Sequence, residues 1–146
     1  MAMDNCIFCK ISQKKIPSSI IYEDEEMLAF KDINPIDKVH FLIIPKEHIV
    51  NLIECNSDHQ DILSKMLLLA PKLAKESGLK GFRTMINSGK EGGQEVFHIH
   101  FHVYGGSEKV VKIYKENNHA RNYRVVDNFI GCHSYFWRWK IKKHRG

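Results

Sequence analysis

Histidines 98, 100 and 102 occupy every second position of Phe97-His98-Ile99-His100-Phe101-His102-Val103. Successive side chains of an extended strand point to opposite faces. The three imidazoles therefore share one face, and Ile99, Phe101 and Val103 share the other, which faces a core. Three such rings in a row pack poorly and suit chemistry near neutral pH. A neutral imidazole is a good nucleophile, and an imidazolium beside it can stabilise developing negative charge or protonate a leaving group. Same-face neighbours on a strand are about 6.8 Å apart, and the outer pair about 13 Å. Zinc–nitrogen bonds are only about 2 Å long, so two adjacent histidines can share an ion while three on a straight strand cannot. The trio must divide its labour.

The segment just before the strand, Ser88–Gln94, is rich in glycine. Gly89, Gly92 and Gly93 let a backbone approach a ligand closely and turn N–H groups towards an anion, and Asn87 and Gln94 add side-chain donors. Beside three histidines, this loop predicts a phosphate site. A second cluster of reactive residues is Cys6-Ile-Phe-Cys9, part of a set of four cysteines with Cys55 and Cys132. Without signs of an oxidising compartment, that spacing reads as metal-binding or redox rather than as a structural disulfide. The first residues lack a basic stretch followed by an apolar one, and no run approaches the roughly 20 apolar residues of a membrane span. The expectation is a cytoplasmic protein with no membrane partner.

The elements that must position these residues are legible in outline. Asn5–Gln13 carries the cysteine pair. Ile20–Tyr22 and Met27–Asp32 form a hairpin, and His40–Pro45 is apolar enough to be a central strand covered on both faces. Asn56-Ser57-Asp58 opens a helix whose apolar positions 62, 63, 66, 67, 69, 70, 73 and 74 keep helical spacing until Gly78 ends it. Phe82–Ile86 and Glu95–Val103 read as further strands. The 146 residues, 43% of them hydrophobic, suit one domain with a real core.

Charge divides the chain unevenly. Residues 1–106 hold 12 Lys+Arg against 14 Asp+Glu, whereas residues 107–146 hold 10 against 3. A near-neutral domain at 1–106 is thus followed by a basic, aromatic extension at 107–146. Val110–Lys115 reads as either a short strand or a helical turn. The Tyr135–Lys140 run with Lys142, Lys143 and Arg145 could stack on bases and neutralise phosphates. Packing of its aromatics on the domain or on a partner subunit is the favoured reading.

The stretch Asn87-Ser-Gly-Lys-Glu-Gly-Gly-Gln-Glu-Val-Phe-His-Ile-His-Phe-His102-Val-Tyr-Gly-Gly106 resembles the histidine-triad nucleotide-binding proteins, in particular their purine nucleoside phosphoramidase branch. The likeness extends upstream through Ile16-Pro17, Tyr22-Glu-Asp24, Ala29–Pro35 and His40–His48. It implies an α+β fold, with an antiparallel sheet of about five strands, one main helix and a short N-terminal helix, paired as a homodimer. It implies His100 as the nucleophile that attacks the α-phosphorus of a nucleotide, with water then releasing the nucleoside monophosphate. His102, His40, Asn87 and Gly93 match phosphate contacts, and Asp32 matches the carboxylate on the ribose. Phe8, Ile11, Phe30 and Ile33 match the walls around a purine. Cys6, Cys9, His48 and His98 match a structural zinc site, a closed Cys₂His₂ set.

Two features depart from that pattern. Glu95 stands where the family commonly has a small hydroxyl residue close to the phosphate or leaving amine. The extension beyond Gly106 has no counterpart, and neither Trp137 nor Trp139 aligns by spacing with the C-terminal tryptophan of some members. The expected activity is hydrolysis of purine nucleoside phosphoramidates or related adenylates, conjugates of AMP or GMP. The rivals are a dinucleoside polyphosphate hydrolase, a nucleic-acid deadenylase, and a non-catalytic nucleotide sensor or adaptor.

Overall fold

The computed structural model describes residues 5–108 and two short strands beyond them. Helix α1 spans Ile7–Ser12. Strands β1 (Ile20–Glu23), β2 (Met27–Lys31) and β3 (Val39–Pro45) follow. Helix α2 covers Gln60–Glu76, and strands β4 (Arg83–Met85) and β5 (Phe101–Gly105) complete a five-stranded antiparallel sheet of order β1-β2-β3-β5-β4. The α+β class, the five strands, the main helix and the short N-terminal helix are those the resemblance implies.

Strand alternation sorts the side chains. Met27, Ala29, Phe41, Ile43, Phe101 and Val103 point to one face and pack under Met66, Leu69, Ala70 and Leu73 of α2. Leu28, Phe30, Leu42 and Ile44 point to the other, where Phe8 and Ile11 of α1 cover them. Both faces of β2 and β3 are therefore buried, which explains their near-continuous apolar sequences. On the α1 face, Phe30 pairs with Leu42, Leu42 with His102, and His102 with Met85, so a single row crosses four strands. His40, opposite Tyr104, sits diagonally from His102 on the same face.

The main helix begins later than the sequence suggests. Asn56 caps a 3₁₀ turn over Ser57–His59, and the His59 ring accepts from the Asn56 N–H in return. The α-helix proper starts at Gln60. It ends at Glu76, with Ser77 as its C-cap and Gly78 after it at φ 79°, a conformation that glycine adopts without strain. Strand β5 is likewise shorter than Glu95–Val103. The His98 N–H donates to the Val96 carbonyl in a tight turn, so the chain bends before it joins the ladder.

By their internal contacts, Met1–Ser107 and Glu108–Gly146 are separate compact units. Asp37 closes the end of the first by accepting from both the N–H and the hydroxyl of Ser107. In the second, β6 (Lys112–Ile113) pairs antiparallel with β7 (Val125–Val126). Of the two readings of Val110–Lys115, residues 112–113 take the strand. Cys132, the aromatic and basic run, Trp137 and Trp139 lie outside the described residues. Among the described residues, no helix is long and apolar enough to cross a membrane.

Candidate active site and metal cluster

The bend at 96–98 separates the histidines that a straight strand would align. His98 is fully buried and turns towards the N-terminal cysteines. Its Nδ1 lies 3.5 Å from the Sγ atoms of Cys6 and Cys9 and 3.2 Å from Nδ1 of His48, which is itself 3.2 Å from Cys9 Sγ. A tetrahedral zinc with bonds of about 2.0–2.3 Å separates its ligand atoms by roughly 3.3–3.8 Å, so these spacings suit a Cys₂His₂ set. The protons agree. His98 Nε2 donates to the Pro45 carbonyl at 2.8 Å, which leaves Nδ1 bare as a ligand must be. Burial, with His48 and His100 nearby, lowers His98 to about 4 and keeps it neutral. His48 Nε2 is buried without a partner among the described residues, so only the cluster side orients that ring. Burial and the Cys6 thiol push Cys9 up to about 11, so a bound dication would have to displace its proton. The four residues fit zinc.

His100 turns the other way, into a cavity of about 510 Å³. Its Nδ1–H donates to the His98 carbonyl at 2.7 Å, leaving the Nε2 lone pair free. The Phe8 ring meets the His100 ring edge-on, with centroids 5.1 Å apart, and limits its rotation. Burial lowers the His100 pKa, against the raising influence of Asp32 and Glu95. The candidate nucleophile is thus neutral at physiological pH.

A chain of hydrogen bonds sets the next two rings. The Ile36 N–H donates to His40 Nδ1 at 3.2 Å, so neutral His40 carries its proton on Nε2. That proton faces His102 Nδ1 at 3.0 Å, which leaves the His102 proton on Nε2. Burial, then the adjacent His100 and His40 rings, lowers His102 to about 4. His102 is therefore a neutral N–H donor rather than the imidazolium that the spacing also allows, because its charge would be desolvated. Asp32 Oδ2 lies 3.5 Å from His40 Nε2 and 4.0 Å from His102 Nδ1, while its Oδ1 accepts from the Asn34 N–H.

These pKa values carry a stability consequence. Between about 6.5 and about 4 the unfolded chain binds protons at His102 and, without metal, at His98 that the folded chain refuses. Their contribution is complete above 6.5 and is lost as the pH falls through that window. Metal-free protein is expected to show a lower urea midpoint near pH 5 than near pH 7. An equal midpoint at both would show that neither ring is held neutral.

The same cavity collects the other expected residues. Phe8, Ile11, Phe30 and the exposed Ile33 form its apolar side. Asp32, His40 and His102 border it along the sheet, and Asn87, Gly93 and Glu95 come from the loop. The loop itself works differently from expectation. The Gly92 N–H donates to the Gly89 carbonyl, the Gly93 N–H to Lys90, and the Gly89 N–H to the Gln94 side chain, so these groups close the loop instead of facing an anion. The glycines are needed for the turn. Gly89 and Gly93 have φ of 78° and 76°, and a Cβ on Gly92 would meet the Ser88 carbonyl oxygen at 2.4 Å. Asn87 donates to the Gly93 carbonyl at 3.3 Å, which uses one of its two amide hydrogens.

Gln94 is buried and is not a ligand donor. Its amide donates to the Val50 and Val96 carbonyls, and its oxygen accepts from the Asn51 amide and the Gly89 N–H. Asn51 also caps the 3₁₀ turn at Leu52–Glu54. Sequence reading missed this buried pair, whose only signal was an asparagine ahead of a turn. Gln94→Ala would strand several of these groups, at a cost of about 3 kcal/mol. Urea unfolding should show that loss; a loss below about 1 kcal/mol would mean that water replaces the side chain. Lys31, Met85 and Val96 also line the cavity and were not anticipated.

The chain is similar to known proteins in sequence and fold. The family model described as "Scavenger mRNA decapping enzyme C-term binding" matches residues 5–128. Protein HitA of Neisseria gonorrhoeae is 57% identical over 104 residues, covering 70% of this chain and 97% of that protein. The 14 kDa zinc-binding protein of Brassica juncea is 47% identical over 105 residues, covering 70% and 93%. Among solved structures, a HIT family hydrolase from Legionella pneumophila Philadelphia 1 superposes with a TM-score of 0.70 at 46% identity, over 71% of this chain and 95% of that one. A histidine triad nucleotide-binding protein from Candida albicans gives 0.61 at 37%, over 68% and 73%. The spaced histidines, the sheet that holds them and a match running through most of the described residues lead to one assignment: the chain belongs to the histidine-triad (HIT) family.

Proposed function

We propose that this chain hydrolyses purine nucleoside phosphoramidates or related adenylates through a nucleotidyl-His100 intermediate. The observation that carries the reading is the His100 ring. Its Nδ1–H is tied to the His98 carbonyl, so a neutral ring offers a bare Nε2 to the cavity. The hydrolase and nucleotide-binding names of the related structures agree with it.

The base lies against Phe8, Ile11, Phe30 and Ile33, and Asp32 Oδ2 accepts from the ribose hydroxyls. The His102 Nε2–H and the second amide hydrogen of Asn87 donate to phosphoryl oxygens. His100 Nε2 then gives its lone pair to phosphorus as the P–N bond breaks. The leaving nitrogen keeps that bonding pair and takes a proton from water at the open rim. The hydroxide left by that water takes a proton from a second water as its oxygen adds to phosphorus, the bond to His100 breaks with its electron pair returning to Nε2, and the nucleoside monophosphate departs with the neutral ring restored. His102 acts by hydrogen bonding to charge that builds up in the transition state.

Zinc on Cys6, Cys9, His48 and His98 is part of the proposal, in a structural role: it cross-links α1 to the segment that carries the histidines. Zinc-binding by the Brassica relative supports it. Thiolate ligands favour a reducing compartment, in keeping with a cytoplasmic protein. A homodimer is proposed as well, supported by the edge position of β4 and by exposed Leu67 and Leu68 on α2.

The test is release of a fluorogenic amine from an adenosine phosphoramidate, with AMP as co-product. Turnover supports the reading; measurable AMP binding without turnover overturns it.

A further inference from the structure

We propose that Glu95 makes the loop-side rim of the cavity a cation subsite, so that this chain selects phosphoramidates whose leaving amine carries a second positive charge. The inference rests on the P–N reading above and adds the class of leaving group.

Three observations converge on Glu95. Gln94 is pinned into the protein by its four hydrogen bonds, which leaves the next side chain to face outward; Glu95 is exposed and lines the cavity that His100 lines. Among the described residues, the Glu95 carboxylate has no ion pair or hydrogen bond of its own. Asp32, the other carboxylate there, is already engaged by the Asn34 N–H and faces His40. Among the described residues that line the cavity, Lys31, at the end of β2 beside Asp32, is the one lysine or arginine. A cavity for a phosphate thus has one uncommitted negative charge, and it is on the loop.

The direction of the substrate gives that charge its role. With the base against Phe8, Ile11, Phe30 and Ile33, the lining left to the remaining substituent on phosphorus includes Asn87 and Glu95 of the loop. A polyphosphate leaving group would bring further negative charge to this carboxylate and be disfavoured. An amine that ends in a second ammonium would be drawn to it. One solvated charge pair changes rates only a few-fold in each direction, so the two effects together predict about a 10-fold preference.

Three adenosine phosphoramidates of similar length test this: those of butylamine, diaminobutane and γ-aminobutyrate. In the wild-type protein, kcat/KM for the diaminobutane compound should exceed that for the γ-aminobutyrate compound by about 10-fold, and added salt should shrink the ratio. In Glu95→Gln the ratio should fall to within about twofold of unity, and in Glu95→Lys it should invert. A wild-type ratio near unity, or one that persists in Glu95→Gln, overturns the proposal. Dissociation constants of the same compounds on His100→Ala and on His100→Ala/Glu95→Gln are read in parallel. Absence of turnover in the wild type would defeat the P–N reading alone, because the charge order would still be decided by binding.

Discussion

Replacing His100 with alanine should lower turnover of an adenosine phosphoramidate by about 10⁴-fold or more while AMP continues to bind. The size of the effect follows from the site. His102 presents an N–H rather than a lone pair, and His40 spends Nδ1 on the Ile36 N–H. Neither can take over as nucleophile without changing its tautomer, and Cys9 is buried among the cluster residues with a raised pKa. Affinity should survive because the apolar side and Asp32 belong to other elements. His102→Ala should cost less, about 10²-fold, since it removes one donor to the phosphoryl group and leaves the nucleophile intact. Intact-mass measurement of rapidly quenched wild-type protein should show a nucleotidyl adduct that His100→Ala lacks. If His100→Ala kept more than about a tenth of wild-type turnover, the nucleophile would lie elsewhere.

The difference between those two histidines could not be read from their spacing. Period two placed His98, His100 and His102 together and required them to act separately. Which one leaves the row depends on the turn at Val96–His98, a local bend that period-two spacing does not reveal. Protonation is just as hidden. The spacing allows a neutral or a charged ring beside the nucleophile, and burial and two neighbouring rings oppose a charge on His102. The glycine-rich loop was recognised as part of the site, but its role was misjudged. The N–H groups of Gly89, Gly92 and Gly93 are consumed by the loop itself, and Gln94 locks it from the core side. By contrast, the buried strands β2 and β3 and the stripe of α2 were legible, because hydrophobic periodicity reports burial directly.

Loss of the metal cluster should be the largest stability effect. Cys9→Ser is expected to abolish binding of one zinc per chain and to cost about 3 kcal/mol or more, lowering the melting temperature by roughly 12–24 °C for a unit of this size. The donors come from distant parts of the chain: Cys6 is 92 positions from His98, and Cys9 is 39 from His48. An ion that joins them restricts long loops and satisfies a bare buried nitrogen. Without it, only weak thiol–imidazole hydrogen bonds remain. Metal content by mass spectrometry and the visible bands of a cobalt-substituted sample read the site independently of activity. Catalysis should suffer as well, though indirectly. The His98 carbonyl that accepts from His100 Nδ1 belongs to the residue whose ring enters the cluster, so loosening His98 frees the His100 ring to turn. Cys9→Ser should therefore lower kcat in the folded protein below its melting range while changing AMP affinity little. A chelator that leaves both the melting temperature and kcat unchanged would identify the four side chains as metal-free packing, and His100 would then owe its orientation to Phe8 and the His98 carbonyl alone.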